Sequence, residues 1–171
     1  MKKTKSKLTA KSQIETSVLL DRQLCFALYA ASHKMTKTYQ PILKKLDLTY
    51  PQYLVLLVLW EKSELSVSEL GRSLDLDSGT LTPLLKRMEA AGLVARTRSL
   101  GDQRHVSITL MSAGRALKKK AATVQEQVIC ATQCSIDELE VLIKKLNKLR
   151  QSLSGKEAKI RANRSLPLEL N

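Results

Sequence analysis

The feature that most constrains the fold is a succession of short elements between residues 65 and 110. Ser66 is followed three positions later by Glu69, a capping box that predicts the start of a helix. A second helix is predicted to begin near Ser78, or at the residue before it, and to end ahead of Gly92, because glycine readily adopts the left-handed conformation that terminates helices. The stretch therefore begins with two helices joined by a short turn.

Two strands and a turn complete the same stretch. The strands are predicted over Val94–Arg98 and Arg104–Leu110, and apolar residues alternate along the second, as expected for a strand with one buried face. Gly101 and Asp102 lie between them, and both residue types are common in turns. Helix, turn, helix and hairpin in this order predict a winged helix-turn-helix, a unit that reads DNA.

Polar and basic side chains occupy the predicted exposed face of this unit. Small hydroxyls near the beginning of a helix can bind phosphates and base edges, and the helix dipole favours a phosphate there. A solvated basic surface is the alternative interpretation, but the order of the elements favours DNA binding. The candidate contacts on the second helix are Ser78, Thr80, Thr82, Lys86 and Arg87, and the hairpin adds Arg96, Arg98, Arg104 and His105.

Length and charge narrow the class of protein. The chain has 171 residues, which suits one domain, and a formal net charge of +13, which favours a polyanionic partner. Nucleic acid is the simplest such partner and a membrane surface is the alternative, but the longest apolar run, Tyr53–Trp60, is too short to cross a membrane. Because the sequence contains no evident secretory signal, we expect a cytoplasmic protein without a membrane partner.

The cysteine content argues against a metal site. Three cysteines without a Cys-x-x-Cys pair fit neither a disulfide framework nor a zinc site. In a reducing compartment they are expected to be thiols. The sequence therefore predicts no metal ligands and no cofactor.

Helices are predicted on both sides of the winged unit. An apolar stripe from Leu20 to Ile42 predicts a long first helix, which Pro41 is expected to interrupt before a separate short turn up to Leu46. Leucines spaced three and four apart from Leu139 to Leu153 form a heptad seam that needs a partner helix. These two stripes together predict a homodimer.

Several motifs resemble the MarR family of bacterial repressors. In that family an Asp-x-Arg motif in the wing precedes a strand that ends in Thr and a helix that begins with Gly. The matching segments are Asp102-Gln103-Arg104, Ser107-Ile108-Thr109-Leu110 and Gly114, and the resemblance covers residues 20–153. It implies a mainly α fold with a small β-hairpin wing, a winged helix-turn-helix and a MarR-like dimer. It also implies that Arg104 enters the minor groove while Asp102 holds its guanidinium.

The first helices resemble one branch of that family, the organic hydroperoxide resistance regulators. The matching stretches are Leu-Cys-Phe-Ala-Leu-Tyr-Ala, Met-Thr-Lys-Thr-Tyr-Gln-Pro and Leu-Thr-Tyr-Pro-Gln-Tyr. From the bare residues, Cys25 would be a small core hydrophobe and the tyrosines would be ordinary packing. The resemblance instead implies that Cys25 is a peroxide sensor whose sulfur accepts hydrogen bonds from Tyr39 and Tyr50.

The chemistry of peroxide sensing fits these residues. A thiolate attacks the peroxide, and the resulting sulfenic acid can condense with a second thiol. Tyr39 follows Cys25 by fourteen residues, about 21 Å along a continuous helix, so a site containing both is expected to be shared between two protomers. The resemblance extends to members with two reactive cysteines, and we favour Cys130 as the resolving thiol, with Cys134 as the alternative. Members without a usable second thiol react with a small thiol instead, so that route also stays open.

The sequence and the resemblance thus predict a homodimeric transcriptional repressor that binds double-stranded DNA. It is expected to release a pseudo-palindromic operator when organic hydroperoxide oxidises Cys25. One alternative keeps the fold, with a small phenolic ligand as the trigger and Cys25 as a packing residue. A thiol peroxidase would leave the winged unit unexplained, so we expect no catalytic residues and no enzyme. An architectural DNA-coating protein, the last alternative, would show no operator preference.

The predicted organisation has five segments, and residues 61–64, at the end of the second, are expected to be a polar turn that leads into the winged unit. From the N terminus, the segments are a disordered basic arm (1–13), dimerisation and sensor helices with a core helix (14–64), the winged helix-turn-helix (65–110), C-terminal dimerisation helices (111–153) and a flexible tail (154–171).

Overall fold

The computed structural model describes residues 19–98 and 106–164, a mainly helical chain with one small sheet. It divides into two compact units, residues 1–128 and 129–171, and each is described by itself. The predicted basic arm and the wing turn with Asp102, Arg104 and His105 lie outside the described residues. After a 3₁₀ turn at Leu20–Arg22, the elements are α1 (Leu24–Lys44), α2 (Tyr50–Lys62), β1 (Glu64–Ser66), α3 (Val67–Leu74), α4 (Ser78–Ala90), β2 (Val94–Arg98), β3 (Val106–Leu110), α5 (Ser112–Thr132) and α6 (Ile136–Arg164).

Helix α1 runs without a break through Pro41, so the predicted interruption there is wrong. The turn after the proline buries Leu43 and packs Ile42 against the core. Full burial of Leu43 contributes about 1.5–3 kcal/mol and the partial burial of Ile42 adds to it, so together they are comparable to the cost of about 3 kcal/mol for an interior proline. The chain turns instead at Asp47, whose φ of 53° is left-handed, and the Leu48 N–H donates to the Leu43 carbonyl (3.1 Å).

Helix α2 lies at the centre of the core of the first unit, as predicted. A capping box begins it, in which the Thr49 N–H donates to Gln52 Oε1 (2.8 Å). Pro51 occupies the first turn, where a proline removes no intrahelical hydrogen bond. The buried side chains of the helix are Tyr53, Val55, Leu56 and Leu59.

A third strand, β1, occupies part of the segment that was predicted to be a polar turn. Helix α2 extends to Lys62, and Ser63 follows in a left-handed conformation with a φ of 54°. Strand β1 then pairs antiparallel with β3, with Leu65 opposite Ile108, and the sheet order is β1-β3-β2. A strand of three residues is too short to show the alternation of apolar and polar residues that identifies strands in a sequence. The hydrogen-bonding partner of β1, strand β3, is also distant in the chain.

The predicted helix-turn-helix and hairpin are confirmed. Ser66 caps α3 through reciprocal hydrogen bonds with Glu69, and Asp75 ends that helix with a φ of 56°. Gly92 follows α4 with a φ of 69°, the left-handed conformation that the sequence predicted. Strand β3 is described from Val106 rather than from Arg104. The buried side chains of α4 are Leu81, Leu84, Leu85 and Met88.

Helix α5 is fixed against the winged unit near its beginning. A Cβ atom on Gly114 would lie 2.2 Å from the Leu93 carbonyl oxygen, so only glycine fits this close approach. The Trp60 indole N–H donates to the Gly114 carbonyl (2.9 Å), and the Lys118 ammonium donates to the Trp60 carbonyl (3.1 Å). These contacts join α2, α5 and the segment leading into β2.

Helix α6, in the second unit, is longer than predicted. The predicted capping box begins it, with Ser135 and Glu138 exchanging hydrogen bonds. It then continues to Arg164, into the segment from residue 154 that was predicted to be a tail. Gly155 alone does not end the helix, because the Lys, Glu, Ala and Arg residues after it favour helix. No helix in the described part of the chain is long and apolar enough to cross a membrane.

Candidate DNA interface and thiol site

The beginning of α4 is a polar surface. Asp77 caps the helix by accepting hydrogen bonds from the Thr80 backbone N–H and hydroxyl, both at 2.9 Å. Those hydrogen bonds lower the pKa of the Asp77 carboxyl, which favours its ionised, capping form. The Thr80 hydroxyl is therefore engaged in the cap, whereas Ser78 is an exposed hydroxyl donor on the first turn.

The other candidate contacts of α4 follow along the helix. Ser78, Thr82 and Lys86 recur at intervals of four residues, which places them on one face. Lys86 and Arg87 are exposed, and Thr82 is half-buried. Neither cation forms an ion pair with another described residue, so both are available to bind phosphates.

Arg96 forms an ion pair within the protein, although it was predicted to be one of the cations that face DNA. Its guanidinium lies 3.5 Å from the Glu89 carboxylate, and its side chain is only 18% exposed. Because Glu89 belongs to the end of α4 and Arg96 to β2, the ion pair connects the helix to the wing. Residue type and position in the hairpin gave no signal of this contact. Arg98 ends β2, and its side chain lies outside the described residues.

Two of the predicted sensor residues, Tyr39 and Tyr50, meet within one chain. Their ring centroids are 4.8 Å apart, and Tyr53, which was predicted only as a core residue, lies 6.0 Å from Tyr39. Burial raises the pKa of all three phenols above the usual value. The hydroxyls therefore stay protonated and can donate hydrogen bonds. Neither Tyr39 nor Tyr50 has a hydrogen-bond partner among the described residues.

Cys25 lies apart from this tyrosine cluster. It is exposed in the first turn of α1, and because the helix is unbroken, Tyr39 is about 21 Å away along the axis. Tyr29, four residues after Cys25, stacks on His33 with ring centroids 6.0 Å apart. Tyr29 was not predicted as a site residue, although its spacing of one helical turn from Cys25 is visible in the sequence.

The other two cysteines lie around the break between α5 and α6, in the second unit. Both are exposed. The Cys134 backbone N–H donates to the Thr132 hydroxyl (3.2 Å), and its thiol lies 3.5 Å from the Thr132 carbonyl oxygen. Cys130 lies in the last turn of α5. Among the residues that the structure describes, no cluster of His, Cys, Asp and Glu could hold a metal ion.

An open cleft lies beside the tyrosine cluster, between the end of α1 and the beginning of α2. Its volume is about 820 Å³, and Tyr50 belongs to its wall. Gln40 and Lys44 contribute polar groups, and Leu43 and Leu48 contribute apolar surface. A cleft with this mixed lining can hold a small organic molecule.

The fold and the exposed face of α4 define a transcriptional regulator that binds DNA through a winged helix-turn-helix. A family model described as the transcriptional regulator SarA/Rot matches residues 37–121. The organic hydroperoxide resistance transcriptional regulator of Bacillus subtilis (strain 168) is 49% identical over 137 residues, which cover 80% of this chain and 93% of that protein. The chain therefore belongs to the MarR family, in the branch of the organic hydroperoxide resistance regulators.

Two solved structures of AbfR, a protein of Staphylococcus epidermidis, share this fold. Reduced AbfR bound to DNA matches with a TM-score of 0.67 and 36% identity, covering 85% of this chain and 99% of that one. Disulfide-formed AbfR matches with a TM-score of 0.56 and 37% identity, covering 81% and 98% of the two chains. The resemblance found in the sequence is thus confirmed. The Bacillus subtilis relative is named as a transcriptional regulator, and AbfR was solved bound to DNA.

Proposed function

We propose that the protein is a homodimeric repressor that senses organic hydroperoxide through Cys25 and then releases its operator. The observation that carries this proposal is the separation of the sensor residues within one chain. Tyr39 and Tyr50 lie together with protonated hydroxyls, whereas Cys25 is about 21 Å from Tyr39 along α1. A complete site needs Cys25 of the partner subunit beside these two phenols.

Exposed apolar surface on two helices supports a dimer. Leu24 of α1 is 59% exposed and Leu142 of α6 is 51% exposed, and other large apolar side chains of both helices are exposed with them. Stripes of this kind are buried against helices of a partner chain in stable proteins. Dimerisation would remove this surface from water and supply the second half of each sensor site.

The DNA side of the proposal follows from the dimer. Two copies of α4 would enter successive major grooves about 34 Å apart on a pseudo-palindromic operator. The wing contacts from Arg98, Asp102 and Arg104 stay predictions from the family motif. On α4 we assign the phosphate and base contacts to Ser78, Thr82, Lys86 and Arg87. Thr80, predicted as a further contact, instead holds the helix cap through its two hydrogen bonds to Asp77.

The sensing step is a two-electron oxidation of sulfur. The Cys25 thiolate attacks the terminal oxygen of the hydroperoxide, the S–O bond forms as the O–O bond breaks, and the alkoxide that leaves takes a proton from water to become the alcohol. Hydrogen bonds from Tyr39 and Tyr50 would favour the thiolate beforehand. The sulfenic acid then condenses with Cys130 of the partner subunit, or with Cys134 as the alternative, forming a disulfide and releasing water. A coupling of about 1–3 kcal/mol would weaken DNA binding about 5–150-fold.

The decisive test measures operator binding before and after one equivalent of cumene hydroperoxide. We expect the wild type to release the operator, whereas Cys25→Ser binds with unchanged affinity and stays bound. Release of this variant at the wild-type dose would show that Cys25 is not the sensor. A non-reducing gel assigns the second thiol: a covalent dimer lost in Cys130→Ser supports Cys130, and one lost only in Cys134→Ser transfers the role to Cys134.

The cleft beside Tyr50 supports a second candidate function, in which a small phenolic ligand releases the operator and Cys25 only packs. Gln40 and Lys44 line that cleft and could bind a hydroxyl and a carboxylate. A variant with all three cysteines replaced by serine separates the two functions. Operator release from that variant by 4-hydroxybenzoate would establish ligand control. Release of the wild type by hydroperoxide, with no release of either protein by 4-hydroxybenzoate, would count against it.

A further inference from the structure

The positive charge of the chain is concentrated outside the DNA-reading unit. Residues 65–110 contain six basic and five acidic residues, a net charge of +1. Residues 14–143 as a whole carry only +2 of the total of +13. By contrast, residues 144–164 of α6 contain eight basic residues and one acidic residue, a net charge of +7. The winged unit therefore supplies only a small part of the net positive charge of the chain.

Three of the four basic side chains of α6 that the structure describes are free to bind an anion. Lys144 pairs with Glu140 at 3.5 Å. Lys145, Lys148 and Arg150 are exposed, and none of them forms an ion pair with another described residue. At about 100° per residue, Lys148 faces away from the stripe of leucines at 142, 146, 149 and 153, and Lys145 and Arg150 flank it on either side. When that stripe packs against another helix, Lys148 remains accessible, and the long side chains of the other two can extend past the edges of the contact.

We propose that residues 144–164 of α6 form a second DNA contact, which binds backbone phosphates of the duplex held by the winged unit. The segment spans about 30 Å, along which a duplex presents one phosphate charge per roughly 1.7 Å of its axis. Once α4 is bound, α6 belongs to a chain that is already held on the same duplex, so its binding there would be an intramolecular step. The contact then forms without recruiting another partner.

Sequence composition favours DNA over an anionic membrane as the partner of this segment. A helix that binds a lipid surface needs a continuous apolar face of large side chains next to its basic face. Residues 154–164 contain a single large apolar residue, Ile160. Phosphate binding requires only the charge, and it carries no sequence information. The segment should therefore strengthen binding to operator and non-operator DNA alike.

The experiment compares two full-length variants, each lacking four positive charges. The test variant carries Lys156→Gln, Lys159→Gln, Arg161→Gln and Arg164→Gln, and glutamine preserves the helix. The matched control carries Lys34→Gln, Lys37→Gln, Lys45→Gln and Lys62→Gln, all at exposed positions outside α6. Binding to operator and scrambled duplexes is measured between 50 and 200 mM salt, concentrations over which the effect of phosphate contacts is large, and circular dichroism checks the helix content.

We expect the slope of log K against log salt to fall by about 2 units or more per dimer in the test variant, since each lost phosphate contact removes about 0.9. Affinity for both duplexes should fall by the same factor. A slope no smaller than that of the control overturns the proposal. A second test variant, Lys145→Gln with Lys148→Gln and Arg150→Gln, should also lower the slope. It replaces the first test variant if that one loses helix content.

Binding to vesicles of phosphatidylcholine and phosphatidylserine tests the alternative that this segment binds an anionic membrane. Equal, weak vesicle binding by the wild type and the test variant supports the assignment to DNA. Wild-type vesicle binding that the test variant loses, together with an unchanged salt slope on DNA, would overturn it and assign the segment to a lipid surface.

Discussion

Among single residues, Tyr39 and Tyr50 have the environment that bears most directly on the proposed chemistry. Burial raises the pKa of each phenol, and the adjacent tyrosines raise that of Tyr39 further. Both hydroxyls therefore remain donors throughout the neutral pH range. A hydrogen bond to a charged acceptor contributes about 1.5–3 kcal/mol, so donation to the Cys25 sulfur would favour its reactive thiolate form.

We expect Tyr39→Phe and Tyr50→Phe each to slow the oxidation of Cys25 roughly tenfold or more, because each removes one such donor. Trapping of the sulfenic acid by a cyclic dione after mixing with hydroperoxide gives the rate. Tyr53→Phe is the matched control, since it removes a hydroxyl from the same cluster and keeps the ring contacts. A Tyr53→Phe rate as slow as the other two would mean that the cluster acts through packing.

At the scale of elements, the ion pair of Arg96 with Glu89 joins the end of α4 to strand β2. The Arg96 Nε is buried without a hydrogen-bond partner among the described residues, so the guanidinium depends on the carboxylate for its compensation. In the proposed DNA complex, the direction of this strand relative to α4 would set where the wing meets the duplex. We therefore propose that Arg96 and Glu89 position the wing and do not contact DNA.

Glu89→Gln should lower the free energy of unfolding by about 1 kcal/mol, because Glu89 is itself 42% exposed. It should also weaken operator binding through the wing. The check is a double-mutant cycle with Arg104→Ala, in which the effect of Glu89→Gln on affinity should shrink once the wing-tip cation is gone. Glu140→Gln, which breaks an exposed pair, controls for loss of a surface ion pair in the unfolding measurement. Additive losses of affinity in the cycle would show that the pair does not act through the wing.

At the scale of the whole molecule, the proposed operator recognition and peroxide sensing would both require two chains. The proposed sensor site would join residues that one chain holds apart, and a pseudo-palindromic operator needs two α4 helices at a set spacing. We propose that the leucine seam of α6 contributes to the interface on which both depend. Its exposed members include Leu142 and Leu146.

Leu142→Asp with Leu146→Asp should convert the dimer to a monomer, because a carboxylate in an apolar seam costs several kcal/mol. Sedimentation velocity measures the assembly state, and operator affinity should fall with it. Asn147→Asp adds a carboxylate to an exposed position of the same helix off the seam, and it should remain dimeric. A stable dimer of the double variant that binds the operator normally would place the interface elsewhere.

The sequence by itself determined the features that depend on neighbours three or four residues apart. The capping boxes at Ser66 and Ser135 and the left-handed Gly92 occur where the sequence predicts them, because each is satisfied by atoms of its own turn. The order of helices and strands in the winged unit followed from the same local signals. The family resemblance, not the periodicity of the residues, identified Cys25, Tyr39 and Tyr50 as candidates.

Only the tertiary structure decided the features that join distant parts of the chain. Strand β1 exists because β3 offers it hydrogen-bonding partners, and α1 continues past Pro41 because the core buries the turn beyond it. Arg96 turns toward Glu89, and Tyr39 meets Tyr50, through packing between elements. In each case the stabilising free energy comes from burial against, or pairing with, residues that are distant in the sequence. The local sequence pattern therefore does not predict these features.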